Sequence, residues 1–270
     1  MTTARLTLDP SRLIIIVFPL WPEAKFFLKS GHFARVQTEH FPTDTLVFEE
    51  LNHLEIYHQS FASNDCLVII SGIGAEAISQ LMQSLLPHFP PRLMLLTGTC
   101  GGLNPKLKTG DMFLATDIIT DHQDHYPISM SWKSWLSDPT LLDPVKLGVI
   151  YSSSRIIETP DDKADIFAQT QADIVDMESE EFVMQLKKYQ QPGFVLRVVY
   201  DTAAETLPAK FLKLMSASGR INIGSLLWWL VTNPGKIPLL IRFGTQFLQS
   251  QKKLSATLLT IVTNLDISAP

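Results

Sequence analysis

The sequence predicts an α/β fold, a three-layer αβα domain over residues 1–205 with a helical extension over residues 206–270. Three observations carry this. Short apolar, β-branched runs alternate with segments of helical periodicity, as in a sheet covered by helices on both faces. Glycine-bearing and acidic segments fall where the strands end, which is where ligands gather in such sheets. The composition, 46% apolar and 18% charged over 270 residues, suits one sizeable core.

After a polar decapeptide, Leu13 to Phe18 (LIIIVF) reads as the first strand, closed by Pro19. This apolar run is too short for a signal core or a bilayer span. Glu23 follows Pro22 and, taken alone, suits the solvated first turn of a helix. Cys66 to Ser71 is the next strand, leading through Gly72 and Gly74 into a helix over Ala75 to Leu86. Leu93 to Thr97 is a buried strand that runs into a glycine loop. There Gly98, Gly101 and Gly102 let backbone N–H groups approach a ligand, and Thr99 adds a hydroxyl. Further strands are predicted at Met112 to Thr120, Leu147 to Tyr151 and Phe194 to Val199, and helices at Asp161 to Thr170 and Glu178 to Lys188.

Cys66 and Cys100 lie in or beside core strands, so they read as reduced, buried thiols of a cytoplasmic protein. His122 and His125, with Asp121 and Asp124, form a polar loop that reads as solvated surface. No spacing calls for a metal, and no cofactor is expected.

Four segments stand in a telling order: VIISGIGAEAISQLM (Val68 to Met82), TGTCGGLNPKLKTGD (Thr97 to Asp111), DIVDMESEEF (Asp173 to Phe182) and VLRVVYDTAAE (Val195 to Glu205). Together they resemble the nucleoside phosphorylase and nucleosidase superfamily, whose members cleave the bond between a nucleobase and ribose. The resemblance implies a mixed, partly barrel-like central sheet and a homodimer.

Breaking a purine N-glycosidic bond requires a proton for the leaving base, stabilisation of an oxocarbenium-like sugar, and a nucleophile on the opposite face. By the resemblance, Asp201 protonates the base, although on its own it suits a helix N-cap equally well. Glu178 clamps the ribose hydroxyls, Met177 lies against the sugar, and Thr99 with Gly98 and Gly101 lines it. PLWPEAKFF (Pro19 to Phe27) resembles the methylthioadenosine and adenosylhomocysteine nucleosidases, where a glutamate at the place of Glu23 activates water and an arginine matching Arg197 orients it. Phosphorylases carry an arginine where this chain has Leu96, so water is the expected nucleophile. Ile156 replaces an aromatic residue that stacks on adenine, and the backbone of Ile157 would meet the purine edge. Asp176 replaces a glutamate and reads as a cap of the following helix. Tyr200 replaces a serine that helps to hold the acid. A phosphate-dependent phosphorylase and a non-catalytic nucleoside-binding protein are the alternative readings.

The tail has its own chemistry. Between Thr206 and Leu265 stand Lys210, Lys213, Arg220, Lys236, Arg242, Lys252 and Lys253 with no acidic residue, whereas 15 basic and 26 acidic residues leave the part up to Glu205 at −11. Its apolar segments, SLLWWLV (Ser225 to Val231), IPLLIRF (Ile237 to Phe243) and LLTIV (Leu258 to Val262), are separated by Asn233-Pro234-Gly235 and Pro238. Such helices suit a membrane surface or apolar ligand wall on one reading, and docking on an acidic body or second subunit on the other. Scattered cations among aliphatic runs argue against nucleic acid. Residues from about 206 to 250 resemble the hopanoid-associated branch of the family, which implies an adenosine carrying a polycyclic lipid at its 5′ carbon and a place at the inner face of a membrane.

Overall fold

The computed structural model describes residues 8–36, 51, 53–207 and 237–266. Strand β1 (Leu13–Phe18) is fully buried, and its alternation divides the interior in two. Leu13, Ile15 and Val17 face a core shared with α2 (Ala75–Leu85) and α4 (Ser179–Lys188). Ile14, Ile16 and Phe18 face a second core shared with α1 (Trp21–Ser30) and α5 (Ile237–Asn264). A continuous apolar run is what a strand covered on both faces requires.

The remaining strands are β2 (Ala34–Val36), β3 (Glu55–Ser60), β4 (Asp65–Ile70), β5 (Leu93–Gly102), β6 (Met112–Thr120), β7 (His125–Pro127), β8 (Val145–Ser152), β9 (Ile174–Asp176) and β10 (Gly193–Asp201). Helix α3 (Pro160–Thr170) precedes β9. Strands β5, β10, β6, β8 and β9 close into a ring, and β1, β4, β3 and β2 extend from β5 as an open flank. The sheet is mixed: β1 pairs in parallel with β4 and β5, and β5 in parallel with β10, while β10 meets β6 and β9 meets β5 antiparallel. This is the partly barrel-like αβα sheet that the sequence predicts.

Two expectations change. The glycine segment after Thr97 is not a loop: β5 continues through it to Gly102, with Gly98 opposite Arg197 and Gly101 opposite Asp201 on β10. Pairing with β10 and then β9 holds the chain extended, and the glycines serve close approach within a strand. Secondly, Ile237 to Phe243 and Leu258 to Val262 belong to one 28-residue helix, α5. Pro238 interrupts nothing because it lies in the first turn, where its missing N–H has no intrahelical partner to lose.

The described part of the tail docks on the body. Leu254, Leu258, Ile261 and Val262 of α5 join the core beneath α1, and Asn64 donates from its amide to the carbonyls of Val262 and Leu265 (3.0 and 2.6 Å) at the helix end. Near the other end, Phe243 and Phe247 pack on Tyr200 with ring centroids 5.7 and 5.8 Å away. The segment SLLWWLV and Lys210, Lys213, Arg220 and Lys236 lie outside the described residues. Among the described residues no helix is long and apolar enough to cross a membrane.

Candidate active site

The carboxyl ends of β1, β4, β5 and β10 share one rim of the sheet, and the chemistry-bearing side chains gather there. Glu23 stands in the first turn of α1, just after β1, yet is only 3% exposed. A solvated first-turn residue is therefore the wrong description. Its Oε1 accepts from the backbone N–H of Thr99 (2.8 Å) and from the Thr99 hydroxyl, which ties α1 to β5. Burial raises the Glu23 pKa, with the Thr99 hydrogen bonds and the Arg197 charge opposing it.

Arg197 points inward from β10 and is wholly buried. Its Nε and Nη2 reach Asp176 Oδ2 at 2.8 and 2.6 Å, and Nη2 donates to Glu178 Oε2 at 3.0 Å. Burial works against its charge, but Asp176, Glu178 and Glu23 outweigh that and raise its pKa further. Asp176 also accepts from the N–H of Ser179 (3.2 Å) and from its hydroxyl. It caps α4 as the sequence suggests and in addition anchors the arginine, a role its local sequence does not reveal.

Glu178 sits at the N-terminal boundary of α4, where Oε1 accepts from the N–H of Gly74 at 2.9 Å. The Gly-x-Gly turn after β4 thus approaches the site through its backbone, helped by a Gly74 φ of 90°. Burial pushes the Glu178 carboxyl up to about 7 against the pull of Arg197. Met177, half-buried, lies between Asp176 and Glu178.

Gly98 is where the requirement for glycine is sharpest. Its φ is 148°, and a Cβ there would stand 2.7 Å from Glu23 Oε2 and 3.0 Å from Arg197 Nη1. Both atoms are buried without a protein partner, and they form no ion pair with each other. A carboxylate oxygen and a guanidinium nitrogen, neither with a hydrogen-bond partner among the described residues, therefore stand together against Gly98 of β5.

Asp201 ends β10 and is 2% exposed. No helix starts directly after it, so the N-cap reading does not apply; Thr202 to Leu207 form a turn and irregular chain. Its carboxylate lies 3.4 and 3.5 Å from the Cβ position of Gly101 and is paired with Lys163 of α3. Burial pushes its pKa up to about 6, with Lys163 holding it down. Gly98 and Gly101 lie three steps apart on β5, roughly 10 Å of extended chain, so Glu23 and Asp201 meet the same strand at two separate points. Cys100 lies between and feels Arg197, Asp176, Asp201 and Glu23; burial raises its thiol pKa well above the usual value, leaving it a neutral wall residue.

Other expected positions are less central. Ile156 is 38% exposed on the stretch between β8 and α3, and Ile157 is buried with Leu103, Ala172 and Val175. Tyr200 turns its ring to α5, away from the role of a short hydroxyl holding the acid. Lys163 has no counterpart in the sequence reading.

Residues 12–227 match the family described as the Phosphorylase superfamily. The chain is 26% identical over 172 residues to a 5′-methylthioadenosine/S-adenosylhomocysteine nucleosidase of Staphylococcus haemolyticus, covering 56% of this chain and 75% of the relative. It is 23% identical over 188 residues to an aminodeoxyfutalosine nucleosidase of Helicobacter pylori, covering 63% and 80%. The native structure of a futalosine hydrolase of Helicobacter pylori superimposes with a TM-score of 0.68 at 18% identity, over 94% of this chain and 99% of the other, and shares the fold.

Proposed function

Because the chain belongs to the Phosphorylase superfamily, we propose that it is a nucleosidase that hydrolyses the N-glycosidic bond of a 5′-modified adenosine and releases adenine. The named nucleosidases among its relatives support this class of reaction. The observation that carries the choice of water is the convergence of Glu23 Oε2 and Arg197 Nη1 on Gly98. A water held by these two unpartnered atoms would donate to the carboxylate and accept from the guanidinium, which aims its remaining lone pair at the sugar. A phosphate dianion would meet the Glu23 carboxylate at the same point, and Leu96 offers it no charge.

In this reading Glu23 takes the proton of the attacking water as the glycosidic bond lengthens. Glu178 accepts from the ribose hydroxyls, and its charge, with that of Asp176, favours the positive sugar. Asp201, beside Gly101 further along β5, gives its proton to the leaving purine. Thr99, Gly98 and Gly101 line the sugar, Met177 lies against it, and Ile156 and the backbone of Ile157 meet the base.

The finer proposal is a lipid-linked, adenosylhopane-like substrate. The sequence likeness between about residues 206 and 250, the uniformly basic tail and the exposed Ile241 and Leu248 on α5 support a site reached from an apolar surface at the inner face of a membrane, and the family resemblance implies a homodimer. The test is adenine release from adenosines with small, large and hydrophobic 5′ groups. Preference for the hydrophobic group is expected. Turnover confined to the small groups would remove the lipid proposal, and strict dependence on phosphate would remove the hydrolytic one.

A further inference from the structure

We propose that Lys163 is the positioning residue of Asp201, fixing one carboxylate oxygen and its charge so that the acid stands ready at the leaving base. The inference rests on the nucleosidase reading of the site. Lys163 is the one buried residue of α3, in a segment, PDDKADIF, that otherwise looks made for solvent. Its side chain is 0% exposed and runs from the first turns of α3 to the end of β10. Nζ donates to Asp201 Oδ2 and to the carbonyls of Thr202 and Glu205, both at 2.9 Å. Three acceptors use all three ammonium hydrogens, so the group has a fixed orientation and no spare donor. Burying a lysine is costly unless it is fully paired, and here the pairing is spent on the end of the strand that carries the acid.

The carbonyls that seat Lys163 are themselves held. Glu205 Oε2 accepts from the N–H and hydroxyl of Thr202 (2.8 and 3.1 Å), and Oε1 from Gln246 (3.1 Å) and Arg242 of α5. Tyr200, the residue before the acid, is occupied with Phe243 and Phe247. The acid is therefore held from α3, across the site, and not by its neighbour in the chain.

The charges facing Asp201 are Lys163 from α3, Glu205 from the following loop, Cys100 from β5 and Tyr200 from its own strand. Of these side chains Lys163 favours the ionised form, aided by the backbone N–H of Asp201 itself. Burial alone would carry the carboxyl upward and make it a reluctant donor; the ammonium offsets this and leaves it near 6, where a general acid both holds and gives up its proton.

The test is the pH profile of kcat/KM for adenine release by the full chain and by Lys163→Gln and Lys163→Arg. With the cation gone, the high-pH limb of Lys163→Gln moves upward by about 1–3 pH units and kcat falls, because an opposite charge at contact distance shifts a carboxyl by that much. A high-pH limb coinciding with that of the wild type overturns the inference. If Lys163→Gln does not fold, Lys163→Arg decides: it keeps the charge and the limb, but its planar fork cannot copy the three-point seat, so kcat falls about tenfold or more with KM held. A kcat equal to wild type in that variant overturns the inference. Absence of adenine release from the wild type would instead overturn the nucleosidase reading on which it rests.

Discussion

Gly98→Ala is the sharpest perturbation of the proposed water site. The added methyl would stand 2.7 Å from Glu23 Oε2 and 3.0 Å from Arg197 Nη1, closer than carbon normally approaches either, and at a φ of 148° that alanine rarely adopts. Backbone strain of this kind costs about 1–3 kcal/mol. At about 2–4 °C of Tm per kcal/mol, that lowers the melting temperature by roughly 2–12 °C, within reach of a scan of both proteins. The catalytic cost is larger in the proposed mechanism, because the methyl pushes the Glu23 carboxylate and the Arg197 guanidinium away from the positions in which they would hold a water. Losing the aligned base removes about 100-fold to 10,000-fold of rate. The assay is adenine release at saturating substrate, with binding of an uncleaved adenosine analogue measured in parallel. Folded Gly98→Ala protein that turns over at a rate like the wild type would refute the assignment of the nucleophile's seat.

Other outcomes follow from the same geometry. Asp201→Asn cannot deliver a proton and is expected to lose about 1,000-fold or more in adenine release while still binding nucleoside, as equilibrium dialysis and single-turnover rates would show. With Asp201 at about 6, kcat/KM for wild type falls as pH rises through that region, since the acid is active only while protonated; a profile flat from pH 5 to 9 would speak against it as the donor. Arg197→Met strands Asp176 and Glu178 as buried, unpaired carboxylates and is expected to destabilise the fold by about 3–5 kcal/mol, read from urea unfolding. Tyr200→Ala removes the ring that Phe243 and Phe247 pack on and is expected to lower the melting temperature with little effect on KM.

The sheet was legible because its signals are local. LIIIVF, DCLVII and LMLLT are short, apolar and bounded by breakers, and each forms a strand whatever lies far away. Glu23, Thr99, Glu178, Arg197 and Asp201 stand out through the motifs around them, and the structure brings all five to one rim. The misreadings have a common cause. Gly98 to Gly102 looks like a turn because glycine disfavours strands in isolation; only β10 and β9, pairing from about 75 to 100 residues away in sequence, keep it extended. Lys163 is hidden for the same reason: its surroundings are acidic and polar, and its acceptors lie 38 to 42 residues further on. The short spacing of Asp176 and Ser179 announces a helix cap, yet nothing nearby announces the arginine that shares it.

The ring formed by β5, β10, β6, β8 and β9 leaves none of its staves with a free edge along the shared ladders. Sliding β10 by one residue would break contacts with two neighbours at once and turn Arg197 to the other face. The spacing of arginine and acid is thus locked by the weave of the backbone. If these are the reacting groups, mutations that reshape the helices and connecting segments around the rim can alter which nucleoside enters without loosening them, so selectivity and bond cleavage can evolve on separate parts of the chain.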